Sequence, residues 1–271
     1  MDNINSSPYE NLKEGDTDPN LGKEIKFLIL QDKRFIVYID TNFEIQWNHT
    51  DDLKTGDDFG LVLNRVASLE SNARFITDEI CLLSIKRQIA EGIARYLDFL
   101  SFKLSQEIHD VVEIEIKALN KKISWGWYFN AAYGVTLVCL VTWGLLWLIR
   151  ERVSIYTGQV GLEVILGGLI GVIGAIISVI SHGDSLNLDA NAGKNIHITE
   201  GTARIIVGIA GALLVTLAFK GGILFSGMRF SGNQFADLLA FAIVAGASKR
   251  LVPSLIGNLE NKALTKKSEH K

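Results

Sequence analysis

Charge is spread so unevenly along this chain that a single uniform water-soluble globule is excluded. Most of its Asp, Glu, Lys and Arg fall before Lys122 or after Ser248, and the stretch between is apolar and rich in glycine. A bilayer core of about 30 Å takes a helix of about 20 apolar residues. Residues 128–149, 160–181, 205–225 and 235–256 are read as four spans on that basis. The first has Trp125, Trp127 and Tyr128 at one end and Trp143 and Trp147 near the other, the places where amphipathic aromatics anchor a spanning helix. The fourth is the weakest, because its uninterrupted apolar run covers only 238–247 before Ser248-Lys249-Arg250.

The first part of the chain reads differently. Residues 1–22 are polar and punctuated by Pro8, Gly15, Pro19 and Gly22, so they are expected to be a disordered tail. They also lack the basic and apolar regions of a secretory signal. Residues 26–30, 34–40 and 43–47 are rich in β-branched and aromatic side chains. In them Phe35, Val37 and Ile39, then Phe43, Ile45 and Trp47, recur with period two. That pattern predicts a three-strand antiparallel meander, which needs a cover on one face to be stable in water. Helices over 59–69, from an N-cap at Ser84 onward, and over 104–122 supply the cover. The last has no breaker before the first span, so the two are expected to be continuous.

The expected fold class is therefore a mainly α membrane protein: four transmembrane helices preceded by a small α+β domain. Residues 1–22 form the tail, 23–122 the α+β domain, 123–257 the transmembrane domain and 258–271 a charged C-terminal tail. Lys117, Lys121 and Lys122 precede the first span, and Lys249, Arg250, Lys262, Lys266, Lys267 and Lys271 follow the last. Both termini are thus expected on the cytoplasmic side, which requires an even number of spans, although Arg150, Arg152 and Arg229 then fall outside. The lipid bilayer is the first partner implied.

Sequence signals for chemistry are few. A net charge of −3 gives no basic field for nucleic acid. The two cysteines, Cys81 and Cys139, form no framework and have no metal-ligand spacing around them. His182, Asp184 and Asp189 share a loop that reads as solvated, and Gly193-Lys194-Asn195 lacks the surroundings of a phosphate-binding loop. No enzyme, metal or cofactor is expected.

Two features of the apolar half remain. Gly167, Gly171 and Gly174, then Gly208, then Ala242 and Gly246 are small residues at helix-packing spacing, where backbones approach closely within a bundle or between copies. Glu163, Lys220 and Asp237 are ionisable residues inside the predicted spans. They are either interfacial, with their charges reaching water, or functional. A short connection suggests that Lys220 meets Asp237, and Gly221-Gly222 is placed to break the third span.

The segments Gly174-Ala175-Ile176-Ile177-Ser178-Val179 and Ala245-Gly246-Ala247-Ser248-Lys249-Arg250-Leu251-Val252-Pro253 carry a resemblance. Over residues 160–257 the chain looks like a group of uncharacterised bacterial membrane proteins that share an Ala-Gly-x-Ser-x-Arg-x-x-Pro signature. Ser248, Arg250 and Pro253 match it. The group usually has an aromatic and an acid where this chain has Ala247 and Lys249, so no role for that acid carries over. The resemblance implies a bacterial inner-membrane location. Small multi-span proteins with a cytosolic sensing domain recur as anti-phage effectors, an analogy at the level of the fold. The function expected is an oligomeric, pore-forming or membrane-perturbing effector, controlled by its N-terminal domain through a cytosolic protein or small-molecule trigger. The alternative is a membrane anchor or scaffold for that domain.

Overall fold

The computed structural model describes residues 8–183, 186–222 and 233–248. Contacts divide the chain into two compact units, Met1–Lys122 and Ile123–Lys271.

In the first unit, β1 (Ile25–Asp32), β2 (Phe35–Asp40) and β3 (Ile45–His49) form an antiparallel sheet in that order. The central strand is wholly buried, because both faces of the sheet are covered. On one face Ile36 and Tyr38 pack with Ile25 and Tyr9. Residues 8–22, read from composition as a tail, are therefore an ordered strap here, while residues 1–7 lie outside the described residues. The strap holds because its buried side chains, Tyr9 and Asp18, both find partners. Tyr9 is fully buried and accepts from Asn20 Nδ2 at 2.7 Å. Tyr38 Oη donates to the buried Asp18 at 3.1 Å, and Asp18 in turn accepts from the Asn20 and Leu21 amides. Burial first, then the Asp18 charge, pushes the Tyr38 phenol well above its ordinary range.

Helices α1 (Phe59–Asn72) and α2 (Glu79–Phe99) belong to the other face, where α2 packs on β2. An aromatic chain ties the layers: Trp47 of β3 meets Phe59 edge-on at 4.9 Å, and Phe59 stacks on Tyr96 at 5.1 Å. Helix α2 starts at Asp78, whose carboxylate accepts from the Cys81 amide at 2.8 Å, so Ser84 is an interior residue rather than the expected cap. Helix α3 (Phe102–Leu148) begins in this unit. Its His109 ring lies against Gly92, where any Cβ would collide with the imidazole, and Nε2 donates to the Ile89 carbonyl at 3.1 Å. Burial lowers the His109 pKa, consistent with a neutral ring. Arg65 of α1 grips α3 through Asp110 at 2.9 Å and Glu113 at 2.6 Å.

The second unit contains the rest of α3 with α4 (Arg150–Ser181), a 3-10 turn (Ala190–Ala192), α5 (Lys194–Lys220) and α6 (Gln234–Ala247). Helices α3, α4 and α5 are long and apolar enough to cross a membrane. The expected continuity of helix 104–122 with the first span is present, as one 47-residue helix. Helix α4 is interrupted at Gly158, whose φ of 71° and ψ of 164° no side-chain-bearing residue adopts at low cost. Helix α5 ends at Lys220, with Gly221 as its cap and Gly222 at φ 68°, which is where the glycine pair was expected to break it. Helix α6 differs from the fourth span as read. At 14 residues it is about 21 Å long, short of a bilayer core, and Ser248 leaves the helical conformation. Residues 249–256 of that span lie outside the described residues.

The turn between β2 and β3 gives the first prediction. Fully buried Asp40 accepts from the Asn42 and Glu44 amides at 2.9 Å, and from Lys23 Nζ and Gln46 Nε2 at 3.0 Å. Burial pushes the carboxyl up, but these four donors outweigh it and hold its pKa below the ordinary value. Its contribution to stability is therefore complete above the unfolded value of about 4 and is lost as pH falls through the lower folded value. Asp40→Ala should destabilise the sheet by about 2 kcal/mol at neutral pH. Hydrogen–deuterium exchange in the intact chain should then show faster exchange of β2 and β3 amides, with the difference from wild type vanishing in acid.

Candidate functional site

The small residues of the second unit build one seam. Helices α4 and α5 run antiparallel, with Gly167 facing Thr216, Gly168 facing Leu213, Gly171 facing Ala212, and Ala175 facing Gly208. Helix α6 lies along α4 in the same direction. A Cβ at Gly174 would run into the Ile243 carbonyl, and one at Gly246 into the backbone of Gly171. Close approach of three backbones is what glycine permits here, and in lipid it brings van der Waals contact where hydrophobic drive between helices is weak. Ala242 is fully buried beside Ile170 and Ala212, with Leu140 and Trp143 of α3 packed against them. The packing residues picked out in the sequence, Gly167, Gly171, Gly174, Gly208, Ala242 and Gly246, thus meet in one place. Of the signature residues, Ser248 caps α6, its amide donating to the Val244 and Ala245 carbonyls. Lys249, Arg250 and Pro253 lie outside the described residues.

The register of the seam fixes the ionisable residues. Continuing the α4–α5 pairing one turn beyond Gly167 and Thr216 brings Glu163 opposite Lys220, and these two form an ion pair. The expected Lys220–Asp237 pair is therefore replaced. Chain proximity favoured Asp237, but the glycine-set register decides the partner. The Glu163 and Lys220 side chains are only 13% and 19% exposed, so their charges answer each other rather than reaching for water. Gln159 Nε2 donates to the second Glu163 oxygen at 2.7 Å.

Asp237 stands apart. It occupies the first turn of α6, where the positive end of the helix favours a carboxylate. Asn233 caps that turn by accepting from the Ala236 amide at 3.3 Å. Yet Asp237 Oδ2 is buried with no hydrogen-bond partner among the described residues. Trp143 Nε1 is buried and unpartnered in the same way. Trp143 and Trp147, the aromatics expected near one end of the first span, stack on each other at 5.7 Å, and Trp147 stacks on Phe235 of α6 at 5.6 Å. The Arg150 guanidinium covers Trp147 at 4.9 Å.

The loop after α4 offers little chemistry. His182 Nδ1 lies 2.9 Å from the Ser178 carbonyl, Asp189 caps the 3-10 turn, and Asp184 lies outside the described residues. Among the described residues no three His, Cys, Asp or Glu side chains gather as a metal site, and both cysteines are free. Comparison with family models, curated proteins and solved structures finds no match.

Removing one member of a buried pair leaves the other charge uncompensated, which costs about 3–5 kcal/mol. Lys220→Leu should destabilise the second unit by that order in a steric-trapping or SDS-unfolding assay. Adding Glu163→Leu to it should restore most of the loss, whereas a double variant no more stable than the single one would mean the pair is not formed.

Proposed function

We propose that the chain is a non-enzymatic integral membrane protein of the bacterial inner membrane, with both termini cytoplasmic. In this reading its second unit assembles into an oligomer that conducts ions or perturbs the bilayer, under control of the first unit. The observation that carries it is the ionisable set at one end of the seam: a buried Glu163–Lys220 pair and a buried, unpartnered oxygen on Asp237. Ionisable groups at membrane depth are costly and are retained where they act on ions or protons, whereas a helix that only anchors needs none. Helix α3 runs from the first unit into the second as one 47-residue helix, and in this reading a cytosolic protein or small-molecule trigger acts through the first unit.

Packing adds one condition. Backbone contact between α4, α5 and α6 leaves no passage along the seam among the described residues, so in this reading a lumen forms between copies. The exposed apolar residues Leu137, Val138, Val141, Leu145 and Leu148 of α3 are the surface available for that assembly or for lipid. The same closed seam favours the second reading, an anchor or scaffold, if the chain stays monomeric.

Membrane potential separates the two. With a voltage-sensitive dye in cells, residues 123–271 should depolarise the membrane and the full chain should not. Asp237→Asn in residues 123–271 should remove most of the depolarisation while carbonate-resistant insertion is retained. If the inserted 123–271 segment leaves the potential unchanged, the pore reading is lost and the anchor reading stands.

A further inference from the structure

The seam has a second end, away from the Glu163–Lys220 pair, where α6 stops at Ala247. A groove of about 600 Å³ opens between the last turns of α4, the first half of α5 and the end of α6. Its floor is small and apolar, with Ala175, Gly208 and Gly246, and Val207 stands at its side 70% exposed. Its rim carries Ser178, Glu200, Arg204 and Ser248.

Glu200 and Arg204 are opposite charges four residues apart on α5, the spacing at which such side chains ordinarily pair. Among the described residues they do not. Arg204 Nη1 donates instead to Tyr128 Oη at 3.2 Å, and Glu200 is exposed. Tyr128 belongs to the aromatic set at the start of the first span. Its neighbour Trp127 stacks on His197 at 6.0 Å, and Trp125 meets Phe129 edge-on at 5.6 Å. Aromatic sets of this kind sit at the level of lipid headgroups. The hydrogen bond to Tyr128 therefore holds a guanidinium at headgroup depth, with a free carboxylate one turn away and an apolar trough leading toward the bilayer interior.

We propose that this groove is a binding site for a single zwitterionic phospholipid of the ethanolamine class, an inference that rests on the membrane reading above. One acyl chain lies along the alanine and glycine floor. The phosphate takes charge-assisted hydrogen bonds from Arg204, and the primary ammonium donates to Glu200. A choline headgroup has no N–H to give Glu200. A glycerol headgroup leaves the lipid anionic, with no cation to set against that carboxylate.

The test uses the full chain, purified in detergent, delipidated and offered equal amounts of dioleoyl phosphatidylethanolamine, phosphatidylcholine and phosphatidylglycerol, with retained lipid read by native mass spectrometry. One phosphatidylethanolamine per chain should be retained in preference to the others, by about tenfold if each headgroup contact is of ordinary charge-assisted strength. Glu200→Gln should abolish the preference over phosphatidylcholine, Arg204→Gln should lower retention of all three, and Val207→Trp should block the groove. Equal retention of the three lipids by the wild type would overturn the proposal, as would an unchanged preference in Glu200→Gln. A photo-crosslinker at position 207 that captures residues 249–271 instead of lipid would overturn it as well. Carbonate extraction of each protein distinguishes the two levels: a chain that is not inserted removes the membrane reading together with the site, whereas an inserted chain without lipid preference removes the site alone.

Discussion

Backbone contact at the crossing of Gly171 and Gly246 is the constraint on which the second unit depends. Neither position tolerates even a methyl group at the observed separation, so the distance between α4 and α6 is set by the absence of side chains. The same glycine ladder fixes the antiparallel register of α5, and register, in turn, decides which charges meet. The Glu163–Lys220 pair follows from glycines one and two turns away. Nothing in the immediate sequence around either charged residue selects the other. Where the ladder ends, past Gly208 and Gly246, α6 stops at Ala247 and the groove beside Glu200 and Arg204 appears.

In the first unit the organising demand is the opposite one, that buried carboxylates be surrounded by donors. Asp18 and Asp40 are both fully buried carboxylates, and each is surrounded by donors. They stitch the strap of residues 8–22 and the β2–β3 turn onto a sheet whose central strand sees no water. The strap covers the face of the sheet turned away from Trp47, Phe59 and Tyr96, and a three-strand sheet of this size has both its faces protected as a result.

These two demands explain what was legible in the sequence. Period-two alternation in 34–47 and long apolar runs in 128–220 are one-dimensional signals, and the strands and three spanning-length helices appeared where those signals lay. Even so, Phe43 turned out to be a turn residue at φ 61° rather than a strand residue, because Asp40 draws the chain around it. The ordered strap was hidden, since its stability comes from one tyrosine and one aspartate in an otherwise polar tract. Helix α2 began earlier than expected because Asp78, not Ser84, caps it. The ionisable residues themselves were visible as exceptions in apolar runs. Their pairing was not, because it follows from a three-dimensional register that only the small residues encode.

Under the membrane reading the two units respond differently to temperature. Burial of β2 removes apolar surface from water, so unfolding of the first unit carries a large positive heat-capacity change and its stability passes through a maximum. In a bilayer, the setting proposed for the second unit, separation of α4, α5 and α6 exchanges helix contact for lipid contact, with little apolar surface passing into water. The glycine seam consequently has almost no heat-capacity term of hydrophobic origin, and cooling that weakens the sheet core leaves the seam nearly untouched.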